Sequence, residues 1–203
     1  FKFAQVVVAT NKNAVKYATC GTGKNFWCVW REQSLEWQNK LLDQYVVGRE
    51  ITEQDRNIVS LLDPNRLLTL SKYFVLYDAN IKKICRYQQF FAVEEIIKTI
   101  QQNDSAGNRQ GGVIWHTQGS GKSLTMVMVA KYILMEMSRF NPRVVIVTDR
   151  KELDKQIAKT FAHTRLSPAR ATSGKHLIDL INKGSADVIT SIINKFNTVE
   201  SSG

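Results

Sequence analysis

The rhythm of apolar and polar positions changes three times along the chain. From Phe1 to about Glu32 it is strand-like. Gln5-Val6-Val7-Val8-Ala9-Thr10 is β-rich, Asn11-Lys12-Asn13 is a turn signal, and Ala14 to Thr19 returns. Cys20 to Asn25 is a second turn, and Phe26-Trp27-Cys28-Val29-Trp30 is a third β-rich run. Three short strands bury too little surface to stand alone, so this stretch predicts a small antiparallel meander or the edge of a larger sheet. From Ser34 to about Asp78 the pattern turns helical and polar. Ser34 can cap a helix carrying Leu35, Leu41 and Leu42, and Asp63-Pro64 opens another with Leu67, Leu68, Leu70 and Phe74 at helical spacing. This stretch predicts a helical connector.

From Ile81 onward, helical and strand rhythms alternate. Arg86 to Gln102 predicts a helix with Phe90, Val93, Ile97 and Ile100 on one face. Asn103 to Gly112 is a polar loop, and Val113-Ile114-Trp115 predicts a short buried strand. Lys122 to Ser138 predicts a helix that is apolar nearly all round and therefore buried, with Met126, Met128, Met135 and Met137 as core filler. Asn141-Pro142 turns the chain into the apolar strand Arg143 to Thr148. A helix over about Lys151 to Phe161 follows, then one capped by Ser173 with Leu177, Leu180 and Ile181, then the strand Asp187 to Thr190. This order predicts a parallel, doubly wound α/β sheet.

Composition changes this picture little. The 203 residues are 43% hydrophobic and 23% charged, ordinary values for a globular protein, and no apolar run reaches bilayer-spanning length. The chain begins on Phe1 inside a strand-like run, which reads as part of a longer protein. The net charge of +10 favours a polyanionic partner, nucleic acid being the common one, and it is spread along the chain rather than gathered in a tail. Cys20, Cys28 and Cys85 form no C-x-x-C and have no histidine at ligand spacing, so they read as reduced thiols of a cytoplasmic protein.

Chemistry concentrates at Gly119-Ser120-Gly121-Lys122-Ser123, with an expected strand before it and an expected helix after it. Glycines let the backbone fold closely around a phosphate, successive N–H groups form an anion nest, and the positive end of the helix faces the same point. Lys122 supplies charge at the β- and γ-phosphates, and the Ser123 hydroxyl can ligate Mg²⁺. His116 stands where the general pattern has its first glycine; it reads as a loop-packing residue rather than a base. Two look-alikes are set aside. Gly21-Thr22-Gly23-Lys24-Asn25 lacks the Ser or Thr and has no helix after it. Asp149 ends a strand like a Walker B carboxylate, but Arg150 follows it instead of a glutamate.

The segment Gly111 to Met126, with its core Trp115-His116-Thr117-Gln118-Gly119-Ser120-Gly121-Lys122-Ser123, closely resembles the motor (restriction, R) subunit of type I restriction-modification enzymes, a superfamily 2 helicase-like translocase. His116 belongs to that family's version of the loop. Arg86-Tyr87-Gln88-Gln89-Phe90-Phe91-Ala92-Val93 resembles the Q motif, in which a glutamine reads the adenine edge. Gln89 matches it best by its distance to Ala92, and Gln88 comes second. Val144 to Gln156 resembles motif Ia, which runs along a DNA strand, and Asp187 to Asn197 resembles the next block. Phe1 to Asn11 looks like the end of the family's PD-(D/E)-x-K nuclease domain.

The resemblance implies residues 1–33 as the C-terminal edge of a nuclease-like domain, 34–80 as a helical connector, and 81–203 as the N-terminal part of a RecA-like motor lobe. It implies ATP and Mg²⁺ as cofactors. Nucleotide contacts would come from Arg86, Gln88, Gln89, Thr117, Gln118, Gly119, Ser120, Gly121, Lys122, Ser123 and Leu124, with Lys122 and Ser123 catalytic. DNA contacts would come from Arg150, Lys151, Thr190, Ser191 and Lys195. The implied partners are double-stranded DNA and the methyltransferase (modification) and specificity subunits, with no membrane. The sequence departs from the family in lacking a D-E-x-H-like Walker B motif, a second RecA-like lobe and the nuclease carboxylates, so these residues alone are expected to be inactive. Two alternatives stay open. One is another superfamily 2 motor, such as a repair helicase or a type III restriction subunit. The other is a non-motor P-loop module.

Overall fold

The computed structural model describes residues 3–184 and 186–196. Phe1 and Lys2 of the nuclease-like resemblance and Asn197 of the last motif therefore lie outside the described residues. The chain divides into two compact units. One comprises residues 1–76 and 81–114, the other residues 77–80 and 115–203. No helix among the described residues is long and apolar enough to cross a membrane.

The first unit opens with β1 (Val7–Asn11) and β2 (Ala14–Ala18), an antiparallel pair closed by the predicted Asn11-Lys12-Asn13 turn, with Asn11 opposite Ala14 and Val7 opposite Ala18. The third strand-like run does not become a strand. Lys24–Phe26 forms a 3-10 turn, and only Cys28 bridges back, exchanging two 2.8 Å backbone hydrogen bonds with Tyr17. Three helices follow: α1 (Leu35–Tyr45), α2 (Glu53–Leu62) and α3 (Pro64–Thr69). Each start has a local cause. A capping box closes α2 between Thr52 and Asp55, and the Asp63 carboxylate accepts the Arg66 N–H with Pro64 at the first helical position. Ser34 precedes α1, but its hydroxyl caps nothing; Glu32 accepts the N–H groups of Gln33 and Ser34 instead.

The expected helical stretch to Asp78 ends early. After a π-helical turn over Leu70–Phe74, the chain forms β3 (Val75–Asp78) and β4 (Ile81–Ile84), joined through Ala79 and Asn80, both at positive φ. Next comes α4 (Tyr87–Ile100), with Phe90, Val93 and Ile97 buried as its spacing predicts. Each such side chain contributes about 1.5–3 kcal/mol by leaving water. The core here is aromatic: Phe90 packs at ring-centre distances of 4.8 Å from Phe74 and 5.2 Å from Trp30.

In the second unit, β5 (Val144–Thr148), β6 (Ala169–Arg170) and β7 (Val188–Ile192) form a parallel sheet in the order β5-β7-β6. Helices α5 (Lys122–Glu136), α6 (Lys151–His163) and α7 (Gly174–Lys183) accompany it, so the α/β reading with parallel strands is correct. All five residues of β7 are buried, as a central strand requires. Ser173 caps α7 by accepting the His176 N–H at 3.1 Å, and Ile189 packs with Leu177, Leu180 and Ala171.

Two expectations fail around the start of this unit. Val113, Ile114 and Trp115 belong to no strand, and Val113 and Trp115 are 95% and 92% exposed. A strand needs a hydrogen-bonded neighbour, and none of β5, β6 and β7 pairs with this run. Nor is α5 buried all round. Thr125, Val127, Met128 and Ala130 are inside, with Met137 just beyond the helix, whereas Met126 and Met135 face solvent.

Candidate nucleotide and DNA site

The loop from His116 to Gly121 turns the chain into α5. Gly119 (φ 76°) and Gly121 (φ 86°) both lie in the left-handed region, and Gly121 is the capping residue just before α5. A Cβ on Gly119 would meet nothing within 4 Å, so the demand for glycine there is conformational rather than steric. The imidazole Nδ1 of His116 lies 3.1 Å from the Ser120 hydroxyl, and the Ser120 N–H donates to the Thr117 carbonyl at 3.3 Å. His116 thus braces the loop across four residues, which is the packing role expected of it. At the other end, the Thr125 N–H and hydroxyl both donate to the Gly121 carbonyl, at 3.0 and 3.3 Å.

Thr117, Gln118, Gly119 and Lys122 are exposed; Ser120, Gly121, Ser123 and Leu124 are half-buried. The structure therefore brings together an open, glycine-hinged turn, the N-terminal end of a 15-residue helix and an exposed lysine at its first position. These features fit a polyphosphate. The N–H groups at the helix start are unsatisfied by the helix itself, and its dipole is positive there.

The Q-like segment forms the first turn of α4 in the other unit. Arg86 is exposed at the capping position, and its backbone N–H donates to Gln89 Oε1 at 2.9 Å. Gln89 is only 5% exposed, whereas Gln88 is exposed. Gln89, which the resemblance matches to the base reader, accepts the Arg86 N–H at its Oε1, and Gln88, the second candidate, stands exposed beside it. Behind this turn, Tyr17 donates to the Cys85 carbonyl at 2.8 Å, and burial pushes the Tyr17 phenol and the Cys85 thiol upward. Burial likewise raises the Cys28 thiol, with Arg86 beside it pulling the other way.

The residues offered for DNA separate into two groups. Arg150 and Lys151 stand exposed where β5 passes into α6, with Asp149 and Arg150 paired at 3.3 Å on the surface. Thr190 and Ser191 are 0% exposed inside β7, so neither hydroxyl reaches a nucleic acid in this structure. Lys195 Nζ donates to the Ala171 carbonyl, so it ties the turn after β7 to the strand end of β6. The motif resemblance places all five on DNA; Arg150 and Lys151 are exposed, Thr190 and Ser191 lie inside β7, and Lys195 is half-buried against the Ala171 carbonyl.

Sequence reasoning missed the Asp154–Arg170 pair. The Asp154 side chain is fully buried on α6, and its Oδ2 lies 2.5 Å from Arg170 Nε on β6. An aspartate four residues after Arg150 in an amphipathic helix reads as a solvated charge, and nothing local announces its partner.

Residues 88–202 match the family model described as SWI2/SNF2 ATPase, which is more than half of the chain. Among curated proteins, the chain is 41% identical over 124 residues to the type I restriction enzyme HindI endonuclease subunit of Haemophilus influenzae, covering 58% of this chain and 11% of that protein. It is 26% identical over 200 residues to the type I restriction enzyme SsaAORF53P endonuclease subunit of Staphylococcus saprophyticus, covering 97% and 20%. It is 32% identical over 128 residues to the type I restriction enzyme SauCOLORF180P endonuclease subunit of Staphylococcus aureus, covering 62% and 13%. The chain spans between 11% and 20% of the length of these relatives. With its glycine turn opening into α5 and its parallel sheet, the chain belongs to the SWI2/SNF2 ATPase family, and the relatives it resembles bear the name of type I restriction enzyme endonuclease subunits.

Proposed function

We propose that the chain is the ATP-binding part of the motor and endonuclease subunit of a type I restriction enzyme, which translocates double-stranded DNA with ATP and cleaves it. The observation that carries the reading is the loop Gly119 to Lys122, left-handed at both glycines and opening directly into α5, within a segment whose relatives bear that enzyme's name. The match over residues 88–202 favours a motor over a non-motor P-loop module. The relatives favour a type I subunit over a repair helicase or type III subunit.

In this reading the open turn Gly119–Gly121 and the N-terminal end of α5 receive the phosphates, with Thr117, Gln118 and Leu124 flanking them. Lys122 neutralises charge at the β- and γ-phosphates, and Ser123 holds Mg²⁺. The bound nucleotide supplies the phosphoryl-transfer energy. This chain's residues bind and orient it. A glutamine of this turn reads the base, Gln89 by its match to the motif and Gln88 as the alternative, because a carboxamide can donate and accept in one plane, and Arg86 opens the same turn. Arg150 and Lys151 contact DNA phosphates without reading sequence, at the carboxyl end of β5 where open parallel sheets bind ligands.

The larger assignment is of the same kind. Residues 1–33 are the edge of a nuclease-like domain, 34–80 the connector and 81–203 the start of a RecA-like lobe. The protein works in the cytoplasm with methyltransferase and specificity subunits. A triplex-displacement assay on the assembled complex tests this. Displacement of an oligonucleotide from linear duplex should need ATP and should lag in proportion to its distance from the loading site. ATP hydrolysis without such a lag would contradict translocation.

A further inference from the structure

Helix α6 carries three lysines in one register. Lys151, Lys155 and Lys159 follow one another at every fourth position, and all three are exposed. At about 3.6 residues per turn and about 1.5 Å of rise per residue they form a single stripe about 12 Å long. The buried residues of the helix, Asp154, Ile157 and Phe161, lie on a different side. Ile157 and Phe161 are 2% and 0% exposed, and the buried Asp154 carboxylate is paired with Arg170 on β6. The helix is thus fastened within its own unit along one side and presents the lysines on another.

Elsewhere the exposed cations of helices are answered one turn away. On α2, α4 and α7, Arg56 lies 3.8 Å from Glu53, Lys98 3.8 Å from Glu95 and Lys183 3.7 Å from Asp179. Among the described residues, no ion pair or side-chain hydrogen bond engages Lys151, Lys155 or Lys159. Glu152 stands exposed beside the stripe, three residues before Lys155, and is in no ion pair among the described residues either. Like charges at i and i+4 destabilise a helix, so this register works against α6 itself. A solvated surface needs charge, but it has no need of that spacing.

We propose that the stripe Lys151, Lys155 and Lys159 is a backbone track for duplex DNA, which carries the contact from the junction of β5 and α6 along the helix and holds phosphates of one strand without reading bases. Two observations select this partner. The stripe begins beside Arg150, at the junction already read as a phosphate contact, and the chain as a whole carries a net charge of +10. One strand of B-form DNA has a phosphate about every 3.4 Å of axis, so about 12 Å of lysines laid along it faces three to four phosphates. The inference rests on the reading of Arg150 and Lys151 as phosphate contacts; Lys155 and Lys159 are the members it adds.

The experiment titrates the full-length subunit with a fluorescent duplex of random sequence across a salt series. The variants are Lys155→Gln/Lys159→Gln, Arg150→Gln/Lys151→Gln, Glu152→Gln and, as a control for net charge alone, Lys183→Gln on α7. Melting temperatures are measured for each, and Lys159→Gln alone serves if the double variant does not fold. Lys155→Gln/Lys159→Gln should lower affinity at least ten-fold at about 0.1 M salt. It should also flatten the slope of log affinity against log salt by about two units, or about one for Lys159→Gln. Glu152→Gln should tighten binding, and Lys183→Gln should leave the slope unchanged. A structural role of the lysines would move the melting temperature and not the slope. A wild-type slope in Lys155→Gln/Lys159→Gln, beside a flattened one in Arg150→Gln/Lys151→Gln, would overturn the track and leave the junction contact standing. Wild-type slopes in both double variants would remove the junction reading and the track with it. An intact slope with lost binding of the methyltransferase or specificity subunit would assign the stripe to an acidic protein surface, and would equally overturn the proposal.

Discussion

The side-chain carbonyl of Gln89 accepts the backbone N–H of Arg86 at 2.9 Å, closing the first turn of α4 on itself. Two adjacent glutamines thereby take different work, one buried in the cap and one facing solvent. Gln89→Ala should lower stability by about 1 kcal/mol through loss of the cap. Gln88→Ala should change stability by less than about 0.5 kcal/mol, and the preference for ATP over GTP should narrow in Gln89→Ala, or in Gln88→Ala where the second candidate is the base reader. Denaturant melts paired with nucleotide titrations check both; a Gln89→Ala protein with wild-type stability would contradict the capping role.

Gly119 needs its φ of 76° rather than its lack of bulk. Gly119→Ala should therefore cost about 1–2 kcal/mol in the loop conformation and weaken ATP binding roughly ten-fold. Gly112 has equally open space and no positive φ, so Gly112→Ala should bind ATP like the wild type. Calorimetric titration of both variants decides; equal affinities would mean that the loop is not held left-handed when nucleotide binds.

Charge reversal at Arg150 or Lys151 should weaken DNA binding equally for all sequences. It should also flatten the salt dependence by about one unit per lost phosphate contact. Thr190→Val is the matched control. The Thr190 hydroxyl is buried with no hydrogen-bond partner, so its removal should leave DNA affinity unchanged and stability equal or higher. Filter binding across a salt series measures these slopes. Loss of DNA affinity in Thr190→Val would return β7 to the interface.

Asp55 accepts two charge-assisted bonds from Arg49, at 2.6 and 2.7 Å, and caps α2 through Thr52, which together hold its carboxyl well below the usual range. Its folded value is depressed, so its contribution is present above the unfolded value of about 3.9 and is lost as pH falls through the folded one. Asp55→Asn should melt lower than wild type at pH 7, with the gap closing below about pH 4. A gap that is constant with pH would show that the charge plays no part.

The elements with strong periodicity or punctuation were legible from sequence: α4 from Phe90, Val93 and Ile97, α3 from Asp63-Pro64, α7 from Ser173, and the glycine loop before α5. The hairpin over residues 75–84 was not, because its turn uses Ala79 and Asn80 at positive φ instead of a glycine signal, and it follows a helical rhythm without a break. Val113-Ile114-Trp115 misled in the opposite way. An apolar run states only that burial would be favourable, and pairing depends on a neighbour that the run does not encode. The glycine turn before α5 was readable because its demand is on the backbone of a few residues. Thr190, Ser191 and Lys195 were not, because exposure and the Ala171 contact are tertiary facts.

The central claim is that the turn into α5 binds the phosphates of ATP through Lys122, the exposed first residue of the helix. The most direct measurement is ATP hydrolysis and ATP-dependent DNA cleavage by the assembled complex carrying Lys122→Ala, beside the wild type. Loss of charge stabilisation at the transferring phosphoryl group should reduce hydrolysis by on the order of 10³ and abolish cleavage, with DNA binding retained. Wild-type hydrolysis and cleavage by a folded Lys122→Ala complex would contradict the assignment.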